Sequence, residues 1–264
     1  MASWLPLVTG SADAAQTTAF LARTSGLSGA EIAAYKNLIN GLVSDGVFSL
    51  LDALYIFATN TTTTANLNLI STSFGLTGAT PPTFIADQGY TGNGTTQFLD
   101  TGFIPSSSGV AYTLNNASVG VYDLTNVAGG TSHNTIGAND GNQVFIANNQ
   151  NASQTFFGVN DSFPSVTGPN TTQGFWVATR TSSSVQAVYR NGNTTALGTD
   201  ATASSALPTV SIYIMAKNQS GSGTAFSNNQ LSAAFIGGGL SAAQQQLISN
   251  RINAYMTAFA INVY

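Results

Sequence analysis

Short apolar segments separated by turn-forming residues run from Thr83 to Gly237, and this spacing constrains the fold more than any other feature. Segments of this length, rich in β-branched and aromatic residues, are typical of strands in a β-sandwich or barrel. The Asn191-Gly192 pair predicts a hairpin, because both central residues of a type I′ turn need positive φ. The predicted strands are 83–86, 96–102, 118–124, 143–147, 154–159, 174–180, 184–190, 210–216 and 230–237.

Helical periodicity flanks this β-region on both sides. The segment 28–42 begins with a Ser-x-x-Glu capping box, and its apolar residues recur on one helix face. A preceding helix over 13–24 is also expected. At the other end, 241–259 begins with a second capping box and has the same apolar periodicity. It is therefore predicted to form an amphipathic C-terminal helix.

The segment 47–58 is apolar on nearly every side except at Asp52, as expected of a helix enclosed by other elements. A Gly- and Pro-rich segment around 75–82 is the best candidate for a boundary. We therefore predict a helical N-terminal arm over 1–75. The remainder, 76–264, is predicted to be a mainly β, antiparallel two-sheet sandwich that includes the C-terminal helix.

Composition excludes several functional classes. Charged residues make up only 6% of the chain, against about 25% in ordinary soluble domains. Six Lys and Arg residues cannot neutralise many phosphates, so we expect no nucleic-acid partner. The chain has no cysteine, which excludes disulfides and thiolate chemistry. No signal peptide is expected, because the first residues lack a positive n-region and an apolar h-region. No membrane span is expected, because no apolar run reaches the roughly 18 residues that a span requires.

Several segments together carry a family resemblance: SDGVFSLLDALYIFA, FIADQGYTGNGTTQFLDTGFIPS, AVYRNGN and QLSAAFIGGGLSAAQQQLISNRINAYMTA. The set resembles the concanavalin A-like (laminin-G-like) jelly-roll proteins of tail, fibre and prophage modules in proteobacterial phages. The resemblance covers nearly the whole chain. It implies a two-sheet jelly roll whose concave face or end loops often bind carbohydrate, sometimes with calcium.

The sequence shows no recognisable catalytic group. Retaining glycoside hydrolysis needs two carboxyl groups about 5 Å apart, but Glu31 is the only glutamate and lies in a capping box. Asp87, Asp100 and Asp123 form no local carboxylate pair, and His133 has no accompanying Gly-x-Ser-x-Gly elbow. We therefore predict that the chain is not an enzyme. A glycan-degrading enzyme with an Asp-based site is kept as an alternative.

The loops offer oxygen and aromatic groups for ligand binding. One histidine without cysteine leaves mainly oxygen donors, so calcium is the metal that 139–142 could bind. An ordinary Asx-rich turn explains the same residues, and we predict no metal and no cofactor. The candidate carbohydrate-binding residues, chosen for their loop positions, are His133, Asn139, Asp140, Asn160, Asp161 and Phe163.

The resemblance implies a non-catalytic virion structural protein, associated with the tail or fibre and adhering to a host surface glycan. Its partners would be other virion proteins, and a homo-oligomer, with a trimer as the expected form, is implied. The protein would be made in the host cytoplasm and reside in the virion. The alternative function is capsid decoration, as a cement or head-fibre protein.

The N-terminal arm would attach the molecule to the particle through an apolar face containing Phe48, Leu51 and Tyr55. The alternative is that the arm packs against its own sandwich. Exposure of the three side chains in a single copy favours attachment, whereas their burial within the copy removes the reason for it.

Overall fold

The computed structural model describes residues 12–127, 133–148, 154–161, 165–169 and 171–264. The helices are α1 (Ala15–Leu21), α2 (Gly29–Ser44), α3 (Thr62–Ala65), α4 (Pro105–Ser108) and α5 (Ala242–Ala258), with a 3₁₀ turn at Phe48–Leu50. The strands are β1 (Leu51–Ile56), β2 (Thr83–Ile85), β3 (Gly89–Thr91), β4 (Leu99–Asp100), β5 (Ala117–Asp123), β6 (Ile136–Asn139), β7 (Gln143–Ala147), β8 (Gln154–Asp161), β9 (Ser165–Thr167), β10 (Gly174–Ser182), β11 (Val185–Arg190), β12 (Gly198–Asp200), β13 (Tyr213–Ile214), β14 (Lys217–Gln219), β15 (Ser222–Thr224) and β16 (Gln230–Gly237).

The first sheet contains eight of the described strands. Seven follow the order β12-β11-β10-β5-β16-β3-β2, and β1 also pairs with β16. Every residue of β5 is buried, because one face of this strand meets the second sheet and the other lies beneath helices. The central strands of this sheet are therefore covered on both sides.

The second sheet also contains eight of the described strands. Six follow the order β15-β14-β6-β7-β8-β9, while β13 pairs with both β4 and β6. Among the described strands, its pairs are antiparallel except for the parallel pair of β14 and β6, so this sheet is mixed. The predicted mainly β, two-sheet sandwich with helices near both ends is confirmed.

Two hydrophobic cores stabilise this arrangement. The first lies between the sheets and includes Val121, Val144, Phe157, Trp176 and Ile214. The second lies between the first sheet and the helices and includes side chains of α1, α2 and α5. Residues from before and after position 75 contribute to both cores. The N-terminal segment is thus packed into the sandwich.

The predicted helix over 47–58 is wrong: most of this segment is β1, which pairs with β16. All six residues of β1 are buried, and a strand covered on both faces has a continuous apolar sequence that resembles a buried helix. Phe48, Leu51 and Tyr55 are 9%, 4% and 0% exposed. Their burial within one copy removes the reason for assigning them to an attachment face.

A buried ion pair joins the two sheets at one edge. Arg180 of β10 donates from Nη2 to the Asp161 carboxylate on β8 at 3.3 Å, and both side chains are fully buried. Arg180 Nε also donates to the carbonyl of Val159, and the amide of Val159 donates to Gln186 Oε1 at 3.1 Å. Two side chains of the first sheet therefore satisfy backbone groups of the second.

None of the helices in the described residues is long and apolar enough to cross a membrane.

Candidate functional site

The outer face of the second sheet carries a row of residues that crosses five strands. Leu99, Ile136, Val144, Phe157 and Ile214 point into the core between the sheets, so their neighbours along each strand point outward. The strand register joins these outward positions into one row: Asp100, Tyr213, Gly137, Phe145 and Gly158.

Glycines in this row make room for larger side chains. A Cβ atom on Gly137 would lie 2.9 Å from Cβ of Phe145, and one on Gly158 would lie 2.9 Å from the Phe145 ring. Contacts this short require neighbours to move, so an alanine at either position would displace the ring. The two glycines therefore let Phe145 lie against the sheet.

Three aromatic side chains, Phe98, Tyr213 and Phe226, form a cluster at the β4 and β13 side of this face, which we call the aromatic strip. The Phe98 and Tyr213 rings are stacked, with centroids 4.3 Å apart and an interplanar angle of 23°. The centroid of Phe226 lies 6.2 Å from that of Phe98. Phe98 and Phe226 are both partly exposed. The strip thus presents apolar ring surface to solvent.

Two charged residues flank the strip. Asp100 lies opposite Tyr213 in the register, and its carboxylate accepts from the Gly102 amide at 2.8 Å. Burial, with a smaller contribution from Asp100, raises the pKa of Tyr213. On the other side, Lys217 Cγ lies 3.5 Å from where a Cβ on Gly137 would be. The strip therefore has the Asp100 side chain on one side and the Lys217 side chain on the other.

This arrangement has the chemistry of a sugar-binding surface. Aromatic rings offer large apolar faces, and their edges and polar neighbours restrict how a ligand can orient. Binding sites for small molecules commonly combine aromatic surface with a few placed polar groups. Phe98, Tyr213 and Phe226 supply the first component, while Asp100 and Lys217 supply the second.

Asn139 and Asp140, two of the predicted site residues, lie at the turn between β6 and β7, and their side chains are hydrogen-bonded within the protein. Asn139 donates to Gln143 Oε1 at 3.1 Å and accepts from the Gly141 amide at 2.8 Å. Asp140 accepts from the amide and hydroxyl of Thr209. Burial opposes ionisation of Asp140, but these hydrogen bonds outweigh it and lower its pKa.

Asn160 and Asp161, also predicted as loop residues, are buried at the end of β8 with 0% exposure. The Asn160 side chain accepts from the Tyr112 hydroxyl at 2.6 Å and donates to the carbonyl of Leu114 at 3.0 Å. Burial raises the pKa of Asp161, and Gln186 and Arg180 partly oppose that shift. These side chains brace the interior, because neither is exposed to a ligand in solution.

The remaining two predicted residues are not brought together with these. His133 precedes β6 and therefore lies at the opposite end of that strand from Asn139. Burial lowers the pKa of His133. Phe163 lies outside the described residues. The described residues of the predicted carbohydrate-binding set therefore lie in separate parts of the fold and do not form one site.

Another buried acid, Asp123, lies at the end of β5 and is fully buried. One oxygen accepts from the amide and hydroxyl of Thr125, at 3.0 and 3.1 Å, and the other accepts from Asn229. Burial raises the pKa of Asp123 to about 8, against the effect of these hydrogen bonds. Within the described ranges, no group of three His, Cys, Asp or Glu side chains could hold a metal ion.

The aromatic strip lies outside the loops in which the sequence predicts binding residues. Phe98 and Asp100 lie two positions apart in a predicted strand, so they share one face. Because Asp100 is charged, the face that it shares with Phe98 is expected to be exposed to solvent. The sequence alone could therefore have indicated that Phe98 is exposed. No comparable pattern marked Phe226, which follows β15 and is positioned by the fold.

Comparison with solved structures identifies related folds. One Trypanosoma rangeli sialidase structure, in complex with 2,3-difluoro-KDN, superposes with a TM-score of 0.54 and 10% identity over 76% of this chain and 32% of that one. A mutant of that sialidase displaying trans-sialidase activity gives a TM-score of 0.51 and 12% identity, covering 85% of this chain and 38% of that one. A third structure, the same sialidase in complex with the inhibitor DANA, gives a TM-score of 0.51 and 11% identity, covering 75% of this chain and 32% of that one.

The chain spans about a third of the length of these sialidase chains. No protein-family model matches it, and no curated protein matches it. At such low identity the likeness shows a shared β-sandwich fold and transfers no active-site residue.

The prediction that the chain is not an enzyme is contradicted by this comparison, because the matched chains are sialidases. The lack of a Glu-based carboxylate pair argues only against retaining chemistry that uses two such groups. Chains that share this fold do occur among enzymes.

Proposed function

We propose that this chain binds a glycan on the outer face of its second sheet, with the aromatic strip as the contact surface. A sugar ring would pack against Phe98 and Phe226, while Asp100 and Lys217 would form hydrogen bonds with its polar groups. The observation that carries the proposal is the stacked Phe98 and Tyr213 pair, 4.3 Å apart on a sheet face. Its outer partner, Phe98, is partly exposed.

The surrounding composition supports this assignment. Charged residues are only 6% of the chain, yet two of them flank the strip. Large apolar side chains on a surface incur a solvation cost that a ligand removes. The fold likeness to sialidase chains is consistent with a sandwich used by carbohydrate-handling proteins.

The biological setting proposed for this module is a phage particle, where it would contribute to adhesion to a host surface. This part rests on the sequence resemblance. Locating the chain in a cryo-EM map of an intact particle tests it. Density at a tail tip or projecting fibre supports adhesion, whereas density across capsomer junctions contradicts it.

Glycan binding is tested on an array of oligosaccharides, followed by calorimetric titration of the strongest ligand. Phe98→Ala should weaken that affinity about tenfold, because an aromatic contact contributes roughly 0.5–1.5 kcal/mol beyond the area it buries. Sugar release should be followed on the same array, since enzymes share this fold.

Val110→Ala is the matched control. Val110 is 89% exposed and lies outside the strip, so this variant also loses exposed apolar surface but should keep its affinity. An array without any ligand, or equal loss of binding in both variants, contradicts the proposed site.

A further inference from the structure

Five of the six basic side chains are engaged within the protein. Arg23 and Arg190 donate to backbone carbonyls, and Arg180 is paired inside the sandwich. Lys36 pairs with Asp13 and Arg251 with Asp45, each at 2.7 Å. All six basic residues fall within the described part of the chain.

Lys217 is the exception. Among the described residues, its ammonium makes no hydrogen bond and no ion pair within 4.0 Å. The methylene chain of Lys217 packs beside Gly137, with Cγ 3.5 Å from where a Cβ on that glycine would be. The row neighbours of Gly137 are Tyr213 and Phe145. Packing therefore places a cation without an internal partner on the same face as the aromatic strip.

The position of Lys217 on this face disfavours the protonated, charged form of its side chain. The side chain is half-buried, and the loss of solvent lowers its pKa. A desolvated cation gains most from a charged partner, because hydrogen bonds between ionised groups are stronger than neutral ones. Asp100, the acid on this face, is outside ion-pair distance of it. An anionic ligand that binds on this face would supply the missing partner.

We propose that the ligand is an anionic saccharide, bearing a carboxylate or a sulfate that pairs with Lys217 while its ring packs on the aromatic strip. This inference rests on the proposed glycan-binding function and specifies its ligand class. The strip supplies affinity for sugars in general, and Lys217 supplies preference for the charged ones.

The test uses the full chain and an array of matched oligosaccharides, in which each neutral sugar is paired with carboxylated and sulfated counterparts. The wild-type chain should prefer the anionic members, and this preference should shrink as salt concentration rises. Lys217→Gln should lower affinity for anionic members about tenfold and leave that for neutral members unchanged. Lys217→Arg should retain most of the preference.

Lys36→Gln is the control for removing a lysine charge, because Lys36 already pairs with Asp13. Comparison of carboxylated with sulfated members shows which anion is recognised. Thermal unfolding of each variant confirms that it is folded.

The outcomes separate the two proposals. If Phe98→Ala weakens binding of neutral and anionic members while Lys217→Gln leaves their ratio unchanged, glycan binding stands and the anionic preference is overturned. If no member binds the wild-type chain, the glycan-binding function itself is overturned, and this inference with it.

Discussion

The outer faces of the two sheets both carry aromatic residues, but the chain covers these residues to different extents. On the first sheet, Tyr122, Phe175 and Phe235 are 0% exposed and belong to the core beneath the helices. On the second sheet, Phe145 and Tyr213 are 4% and 8% exposed, whereas Phe98 and Phe226 remain partly exposed. The three rings of the first face are thus fully covered, whereas two rings of the second face keep exposed surface.

This difference indicates how one side-chain type can serve two purposes. Beneath the helices, aromatic rings bury area on folding and stabilise the native state. On the second sheet, the rings retain area that a ligand can still bury. Substitutions in the two clusters should therefore affect different measurements.

The largest difference is expected between Phe175→Ala and Phe98→Ala. Removing the fully buried Phe175 side chain should lower the free energy of unfolding by about 3–5 kcal/mol, because a cavity remains in the core. Phe98→Ala should lower it by less, since that ring is already partly solvated. Urea denaturation of both variants measures the effect. Equal losses would show that the second face is as structural as the first.

Overpacking the covered face should have the next largest effect. A Cβ on Gly120 would lie 2.1 Å from the ring of Phe235, so Gly120→Ala forces that ring to move. We expect a loss of about 1–3 kcal/mol in unfolding free energy, with glycan affinity unchanged. Gly29→Ala, where an added Cβ meets nothing within 4 Å, is the control. A Gly120→Ala variant as stable as this control would mean that the covered face repacks freely.

We expect the pH dependence of the unfolding free energy to come from a buried acid, Asp123, and not from the binding face. Asp123 has a pKa of about 8 in the folded chain, against about 3.9 when unfolded. Between these values the folded state holds the extra proton. Stability should therefore fall as pH rises, by at most about 1.4 kcal/mol per pH unit, and this contribution should level off above pH 8.

Asp123→Asn should remove that slope in denaturation curves measured at several pH values, because the amide does not titrate. Asp13→Asn, which changes an acid near α1, should leave the slope in place. Persistence of the wild-type slope in Asp123→Asn would assign it to another group.

The smallest effect is expected from the cap of the helix that covers the first sheet. The Ser241 hydroxyl accepts from the Gln244 amide at 3.3 Å, within a complete capping box. Ser241→Ala should lower the unfolding free energy by about 1 kcal/mol. Ser241→Asp should recover most of it, as thermal denaturation would show. A wild-type midpoint for Ser241→Ala would indicate that packing alone fixes the helix end.

Local signals predicted the elements that depend on local chemistry. Both capping boxes are present, at Ser28 and Ser241, and the predicted strand over 230–237 matches β16. Asn191 and Gly192 both have positive φ, as the predicted turn requires. The next strand begins only at Gly198, because turn chemistry fixes the bend but not the strand pairing that follows.

The candidate site could be predicted only in part, because it depends on contacts between distant strands. Phe98 and Tyr213 are 115 positions apart by their numbers and meet only through the pairing of β4 with β13. No local pattern encodes that register. The prediction that Asn160 and Asp161 lie in a binding loop is wrong for a related reason. Polar residues can be buried inside the sandwich when distant partners bind them, as Arg180 binds the Asp161 carboxylate.

The position of the terminal helices determines how copies of this chain can be displayed. Arg251 of α5 pairs with Asp45 at the end of α2, and Tyr264 lies against Tyr122 on the covered sheet. A tether joined after Tyr264 therefore leaves from the side opposite the aromatic strip. Copies crowded on one support through such tethers would all turn their strips toward the medium, and a saccharide with repeated units would then be held with an avidity that no single copy provides.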